Sequence, residues 1–200
     1  LDLIKYYSKK KRSYILIGSI PQKNKNNKFF NRSLIIDPEG KIVSSYDKIN
    51  LFDVFLSSKE KYIESKNYDP GKKISLSRLP WGNLGMTICY DLRFPLLYKK
   101  LAKNGAQFFS IPAAFTYTTG ISHWESLLRA RAIENGCFVF APAQCGYHDN
   151  GRRTFGNSMI IDPWGKILKR AKNSIGSISC DIDLEKVNFY RKRIPAMTEY

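Results

Sequence analysis

Four apolar runs along the chain predict strands, most of them buried. They are Ser13–Ile20, Asn83–Tyr90, Gln107–Ala114 and Cys137–Ala141. Continuous apolar runs of this length are typical of strands covered on both faces. The segments between the later runs carry apolar residues at helical spacing, and strands alternating with helices indicate an α/β protein. No low-complexity linker divides the chain, so we expect a single domain over residues 1–200.

Two nearly identical octapeptides predict two β-hairpins. Ile35–Ile42 and Ile160–Ile167 each contain the sequence Asp-Pro-x-Gly, which favours a tight turn between antiparallel strands. Two equivalent hairpins would suit a pseudo-symmetric core of two sheets. A good turn used twice explains the recurrence equally well.

Helix boundaries are marked by local signals. Pro95 suits the first turn of a helix that Asn104-Gly105 ends. Ser122, with Glu125 three residues later, predicts a capping box that opens a second helix, ended by Asn135-Gly136. Residues 1–12 resemble the end of a helix. Residues 48–80 are predicted to form a long polar connection. Residues 188–200 are predicted to form a C-terminal arm that could extend onto a partner subunit.

Composition restricts the possible partners. The formal charge of +16 raises the possibility of nucleic-acid binding, but the lysines are scattered and only Lys9–Arg12 forms a tight run, so we expect no nucleic-acid partner. No apolar stretch reaches 18 residues and the N-terminus lacks a signal-peptide layout, which predicts neither membrane insertion nor export. The four cysteines form no C-x-x-C pair, so neither a zinc site nor a disulfide framework is indicated and a reducing cytoplasm fits best.

Cys89 is the main candidate for chemistry. It ends a predicted strand immediately before a turn and the helix that starts at Pro95. Backbone N–H groups and a positive helix end near such a corner lower the pKa of a thiol and can stabilise an oxyanion. The alternative is that Cys89 is a small apolar residue at the end of a core strand.

Several segments, in order along the chain, resemble motifs of the nitrilase superfamily of carbon–nitrogen hydrolases. They are Tyr46–Asp53, Gly85–Pro95, Pro112–Thr116, His123–Asn135 and Gly156–Gly165. The resemblance implies a four-layer α-β-β-α sandwich and hydrolysis of a small amide substrate through a cysteine thioester. It also implies no metal or organic cofactor, and assembly into a homodimer or larger homo-oligomer.

The same resemblance assigns roles at the site. Cys89 would be the nucleophile, and Lys48 with the backbone N–H of Tyr90 would stabilise the oxyanion. Glu64 matches a second glutamate that positions the lysine and the substrate. A solvated loop lysine and a surface carboxylate are the alternatives for Lys48 and Glu64.

Three further residues are predicted to bind substrate. Arg93 could clamp a substrate carboxylate, or pair with an acidic neighbour. Phe115 and Thr119 follow a strand end, where a loop would line the pocket. A Cys–His hydrolase would use His123 or His148, but the flanking pattern of such enzymes is absent.

The family's general base, a glutamate after the first strand, has no counterpart here. The first glutamate of the chain is Glu39, inside a predicted turn. We therefore expect the chain to lack the first strand–helix segment of the fold and, alone, to be hydrolytically weak or inactive.

The later motifs most resemble the deaminated glutathione amidase branch. They are His123–Gly146, Gly151–Gly156 and Arg191–Pro195. The implied reaction releases 2-oxoglutarate and cysteinylglycine, a metabolite-repair role. The alternatives are an omega-amidase, which hydrolyses 2-oxoglutaramate, an N-carbamoyl hydrolase, and an inactive interaction subunit.

Overall fold

The computed structural model describes residues 1–58, 60–149 and 151–197, in which strands and helices alternate as predicted. The helices are α1 (Asp2–Lys11), α2 (Pro95–Lys103), α3 (Tyr117–Asn135) and α4 (Glu185–Arg193). The strands are β1 (Ile15–Lys23), β2 (Phe29–Ile36), β3 (Ile42–Asp47), β4 (Asp53–Ser57), β5 (Glu60–Ile63), β6 (Ser75–Leu79), β7 (Gly82–Met86), β8 (Phe108–Ser110), β9 (Phe138–Ala141), β10 (Cys145–Tyr147), β11 (Arg153–Phe155), β12 (Met159–Ile161) and β13 (Ile167–Arg170).

Two larger sheets form the centre of the fold. One is antiparallel with the order β1-β2-β3, and the other has six strands in the order β13-β12-β9-β8-β7-β6. Only β7–β8 and β8–β9 pair in parallel among the described strands of the second sheet. The pairs β4–β5 and β10–β11 form separate two-stranded ribbons.

Side-chain alternation in the six-stranded sheet builds a core on each of its faces. Phe108 and Phe138 pack toward the three-stranded sheet, together with Tyr46. Their neighbours Phe109 and Val139 pack against α2 and α3 on the other face. Helix α1 lies at the β2–β3 turn, where the hydroxyl of its residue Ser8 donates a 2.5 Å hydrogen bond to the carbonyl of Asp37. The layers agree with the expected α-β-β-α sandwich.

Both predicted hairpins are present, one in each sheet. Asp37 Oδ1 accepts hydrogen bonds from the N–H groups of Glu39 and Lys41. Asp162 Oδ1 accepts the corresponding bonds from Trp164 and Lys166. The recurring octapeptide therefore forms the same turn, with the same aspartate hydrogen bonds, once in each sheet.

Helix α3 begins earlier than the capping box predicted. Thr116 has an extended backbone and precedes the first helical residue, and its carbonyl accepts the N–H of Gly120 at 2.8 Å. A Cβ at Gly120 would lie 2.3 Å from Phe155 Cβ, so tight packing against β11 fixes this first turn. Ser122 is an exposed residue inside the helix, because tertiary packing outweighs the local capping signal. The predicted end at Gly136 is confirmed by its left-handed backbone.

Other boundaries also differ from expectation. The polar connection contains the β4–β5 hairpin and β6. Strand β1 is only half-buried because it lies at a sheet edge. Strand β8 stops before Pro112, which has no N–H for a sheet bond. The first part of the predicted C-terminal arm, residues 188–193, belongs to helix α4, whose Val187, just before the arm, is fully buried in the core. Residues 198–200 of the arm lie outside the described part.

Candidate active site

The predicted nucleophile lies on a strained corner at the carboxyl end of β7. Cys89 has a φ of 50°, in the left-handed region that non-glycine residues rarely occupy. Its N–H donates a 2.9 Å hydrogen bond to the carbonyl of Pro112, and a short 3-10 turn, Cys89–Arg93, leads into α2. Strained backbone of this kind persists only where the surrounding structure enforces it. The parallel strands β7 and β8 end here, at the sheet edge where α/β folds bind ligands.

A cavity of about 340 Å³ opens beside this corner. Its wall includes Lys48, Tyr62, Glu64, Cys89, Pro112 and Arg152. The structure therefore brings together Lys48, Glu64 and Cys89, which the sequence assigned to one site although they lie up to 41 positions apart. Glu64 is the only carboxylate among the described residues of the wall, and none of those residues is a histidine.

Lys48 and Glu64 form an ion pair that is almost completely removed from solvent. The Nζ–Oε2 distance is 2.5 Å, and the two side chains are 3% and 13% exposed. Backbone bonds from Lys48 N–H to Asn31 O and from Gly71 N–H to Lys48 O hold the lysine segment in place. A buried ammonium held in this way supplies a fixed positive charge at the cavity wall, where low polarity strengthens its field. The solvated-lysine alternative is therefore wrong.

The carboxylate of Glu64 has three hydrogen-bond donors. Besides Lys48, it accepts bonds from the N–H of Phe52 at 2.6 Å and from Asn31 Nδ2 at 2.9 Å. These contacts fix both carboxylate oxygens and leave Glu64 suited to orienting the lysine. The alternative of a loose surface carboxylate is also wrong.

A buried carboxylate that the sequence analysis passed over connects the two site segments. Asp91 is fully buried, and its Oδ2 accepts hydrogen bonds from Tyr46 Oη at 2.8 Å and Ile88 N–H at 2.9 Å. Its Oδ1 accepts the N–H and the side-chain amide of Asn50, at 3.0 and 2.8 Å. Burial raises the pKa of Asp91, outweighing the opposite effect of these bonds.

The position of Asp91 explains how the site is assembled. Its partners Tyr46 and Asn50 flank Lys48 two residues on either side, and Ile88 directly precedes Cys89. One carboxylate therefore fixes the lysine segment relative to the cysteine corner. The available sequence signal was an acidic residue between the apolar residues Tyr90 and Leu92 at the strand-to-helix junction.

The three predicted substrate-binding residues do not line this cavity. The Arg93 guanidinium lies 5.1 Å from the Phe115 ring centroid and its Nη1 is 3.2 Å from His123 Nδ1, and partial burial lowers its pKa. Phe115 is buried against Trp124, with ring centroids 5.0 Å apart. Thr119 lies in α3 and shares a 2.7 Å hydroxyl bond with Thr116. Contact of these residues with substrate stays a prediction.

Arg152 is a wall residue that the sequence analysis did not place at the site. Its Nη2 donates to the carbonyl of Ala114, and its guanidinium lies 5.2 Å from the centroid of the Tyr62 ring. The aromatic contact and the hydrogen bond orient a planar cation toward the cavity. The sequence connects its segment only with one branch of the family, because the spacing between Arg152 and Cys89 does not indicate that the two residues are close.

His148 Nε2 contacts Thr154 Oγ1 at 2.8 Å, and His148 is not among the described residues of the Cys89 cavity wall. No group of three or more His, Cys, Asp or Glu residues is arranged to hold a metal among the residues described. None of the described helices is both long and apolar enough to cross a lipid bilayer.

Residues 1–192 match the model of one protein family, described as carbon-nitrogen hydrolase. This chain belongs to that family. The carbon–nitrogen hydrolase assignment confirms the resemblance seen in the motifs, and the nucleophile-motif segment Gly85–Pro95 forms the corner described above.

Named relatives refine the comparison. A deaminated glutathione amidase of Dictyostelium discoideum is 42% identical over 200 residues, which cover 98% of this chain and 69% of the relative. One of Yersinia enterocolitica is 41% identical over 187 residues, which cover 92% of this chain and 65% of the relative. The crystal structure of the C. elegans NitFhit protein aligns with a TM-score of 0.91 and 38% identity, over 97% of this chain and 48% of that one. The carbon–nitrogen hydrolase chain thus spans about two thirds of the two amidases and about half of NitFhit.

Proposed function

We propose that the protein containing this chain is an amidase that hydrolyses a carbon–nitrogen bond of a small carboxylate substrate. The observation that carries the proposal is the buried Lys48–Glu64 pair on the same cavity wall as Cys89. Amide hydrolysis needs a nucleophile and a positive charge where the carbonyl oxygen becomes negative. Cys89 and Lys48 supply these two elements in one carbon–nitrogen hydrolase domain.

The proposed reaction has two halves. The Cys89 sulfur attacks the amide carbon, and the developing oxyanion is stabilised by the Lys48 ammonium and the backbone N–H of Tyr90. The carbon–nitrogen bond then breaks, the amine leaves with a proton, and a thioester remains. Water attacks the thioester, releasing the carboxylic acid and restoring the thiol.

Glu64 acts in this proposal by positioning Lys48. Its Oε2 accepts bonds from both Lys48 and Phe52, so only Oε1, which accepts from Asn31, keeps a lone pair for a proton. Protonation there would leave the buried Lys48 ammonium without its counter-charge. The proton transfers therefore call for a further base, which the family resemblance expects to be the glutamate that follows the first strand of the fold.

We propose deaminated glutathione as the substrate. The two relatives described above carry that name, and the resemblance of the branch motifs supports the same choice. Arg152 on the cavity wall provides a cation suited to a carboxylate of such a substrate. An omega-amidase or N-carbamoyl hydrolase would keep the mechanism and change the preferred amide.

We further propose that the protein works in the cytoplasm as a homodimer or larger homo-oligomer, without a nucleic-acid partner. Light scattering after gel filtration measures the oligomer, and a monomer at micromolar concentration would contradict this part of the proposal. Elution from a polyanion column at low salt is expected, because true phosphate binding has a steep salt dependence.

Kinetics on two amides test the proposed function. The protein, expressed from its complete gene, is assayed with deaminated glutathione and 2-oxoglutaramate, alongside Cys89→Ala and the control Cys145→Ala. Cys145 is a partly exposed cysteine that does not line the Cys89 cavity. Preference for deaminated glutathione, lost only in Cys89→Ala, is expected. Turnover of 2-oxoglutaramate alone would refute the substrate, and turnover of neither would refute the amidase proposal.

A further inference from the structure

A second cavity, of about 460 Å³, adjoins the Cys89 cavity. We call it the annex. Tyr62 and Arg152 belong to the walls of both cavities, so they form the boundary between them. The other described residues that line the annex are Glu60, Lys61, Tyr117, Thr118, Gly151 and Arg153.

The annex has a cationic wall. Lys61, Arg152 and Arg153 are its cationic residues, and Glu60 is the only acidic residue among its described lining residues. The Glu60 carboxylate accepts hydrogen bonds from the hydroxyls of Tyr62 at 3.1 Å and Thr118 at 3.0 Å. Because these bonds hold the carboxylate at the Tyr62–Thr118 side, the excess positive charge of the annex favours an anionic ligand.

Arg153 is held in a fixed orientation. It lies on β11, and its guanidinium carbon is 3.4 Å from the ring centroid of Tyr117 and 5.2 Å from that of Tyr147. Stacking on aromatic faces occupies the plane of a guanidinium and leaves its N–H edge available for a planar anion. A carboxylate is the ligand whose geometry matches that edge.

We infer that the annex binds the terminal carboxylate of the leaving group, with Arg153 as the specificity-determining residue. This inference rests on the proposed function. Deaminated glutathione has a carboxylate at each end, on opposite sides of the amide that is cut. With the acyl part in the Cys89 cavity, the cysteinylglycine part extends past Arg152 into the annex. Lys61, Thr118 and Gly151 at its rim are exposed, so the amine product can leave while the thioester stays inside.

A comparison of two substrates that differ in their leaving group distinguishes substrate binding by Arg153 from a merely structural role of this residue. Deaminated glutathione and 2-oxoglutaramate share their acyl part. The leaving group of 2-oxoglutaramate is only ammonia, which is too small to reach the annex. Arg153→Gln is expected to raise KM for deaminated glutathione about tenfold with little change in kcat, and to leave 2-oxoglutaramate kinetics unchanged. Arg153→Lys should recover part of the loss. Arg78→Gln, an exposed arginine on β6, is the matched control.

A change in the substrate provides a test that does not depend on the folding of a variant. Deaminated glutathione whose glycine carboxylate is converted to an amide should show about tenfold higher KM with the wild type, and no further increase with Arg153→Gln. Equal wild-type KM values for the acid and the amide would overturn the inference alone. An equal effect of Arg153→Gln on KM for deaminated glutathione and for 2-oxoglutaramate would also overturn it. Lack of wild-type turnover of either natural amide would overturn the proposed function, and the inference with it.

Discussion

Replacing Asp91 tests whether the buried carboxylate assembles the site. Asp91→Ala removes the acceptor of four hydrogen bonds, from Tyr46 Oη, Ile88 N–H and two donors of Asn50. Asp91→Asn keeps the shape and one acceptor oxygen but places an NH₂ group where the second oxygen was. The two variants therefore separate loss of the network from loss of the charge.

The magnitudes follow from counting donors that lose a partner. Each buried donor left unsatisfied costs roughly 1–3 kcal/mol, so Asp91→Ala should lower the free energy of unfolding by about 4 kcal/mol or more. Such a loss approaches the lower end of the unfolding free energy of native domains, which is about 5–15 kcal/mol. In Asp91→Asn the Tyr46 hydroxyl can rotate and accept a hydrogen bond from the new NH₂ group. The Ile88 N–H can only donate, so it faces that group without an acceptor. One unsatisfied donor predicts a loss of about 1–3 kcal/mol.

The pH dependence of stability gives an independent check. Burial raises the pKa of Asp91 in the folded state above its ordinary value of 3.8. A carboxyl of this kind binds its proton more tightly when folded, so its contribution to stability falls as pH rises through the interval between the two pKa values. The substituted amide does not titrate. The stability advantage of the wild type over Asp91→Asn should therefore shrink as the pH rises above about 4.

Urea unfolding of wild type and both variants measures these differences, and turnover of deaminated glutathione reports the geometry of the site. We expect Asp91→Asn to fold and to lose at least tenfold in kcat, because the Ile88 N–H loses its acceptor and the Cys89 corner is no longer held in place relative to Lys48. An Asp91→Ala variant within 1 kcal/mol of the wild type, or an Asp91→Asn variant with normal kcat, would refute the reasoning.

Three further changes have defined outcomes. Cys89→Gly should be more stable than Cys89→Ala by about 1 kcal/mol in urea unfolding, because only the alanine retains the cost of a left-handed backbone at φ 50°; a less stable glycine variant would contradict the strain. Lys48→Met should cost about 3–5 kcal/mol by leaving the Glu64 charge buried alone, and the added change Glu64→Gln should restore part of it; no restoration would show that the pair is not coupled. Burial raises the pKa of the Cys137 thiol to about 12, so iodoacetamide at pH 8 should label it last of the four cysteines by mass spectrometry; early labelling would mean that the core opens there.

Local signals predicted the elements that hold the nucleophile. Pro95 starts α2 as expected, and Asn104 and Gly105 end it, because helix termini depend on backbone groups within a few residues. The turns after Asp37 and Asp162 were also predictable for this reason. Cys89 could be assigned to the corner from its sequence neighbours alone, although its left-handed backbone could not.

Local sequence signals were misleading where packing between distant segments determines the structure. The Ser122 capping box has the right residues at the right spacing, yet α3 starts at Tyr117, directly after Thr116, and its first turn packs tightly on β11. A helix that starts only at Ser122 would leave Phe115 and Thr119 in a loop over the cavity, as predicted. Once the helix begins earlier, Phe115 packs in the core and Thr119 bonds to the first residue before the helix.

The residues that complete the site could be found only through tertiary contacts. Asp91 meets Tyr46 across 45 positions and Arg152 meets Ala114 across 38, and no local pattern encodes either pairing. Hydrolysis requires particular side chains, so a motif can identify Cys89 and Lys48. Their relative orientation instead depends on a buried carboxylate whose own requirement is simply to have its hydrogen bonds satisfied. Asp91 therefore needs no chemical role in the reaction to be as important as the residues it holds. A substitution there should affect turnover through geometry and stability through unsatisfied donors, two effects that the paired variants can measure separately.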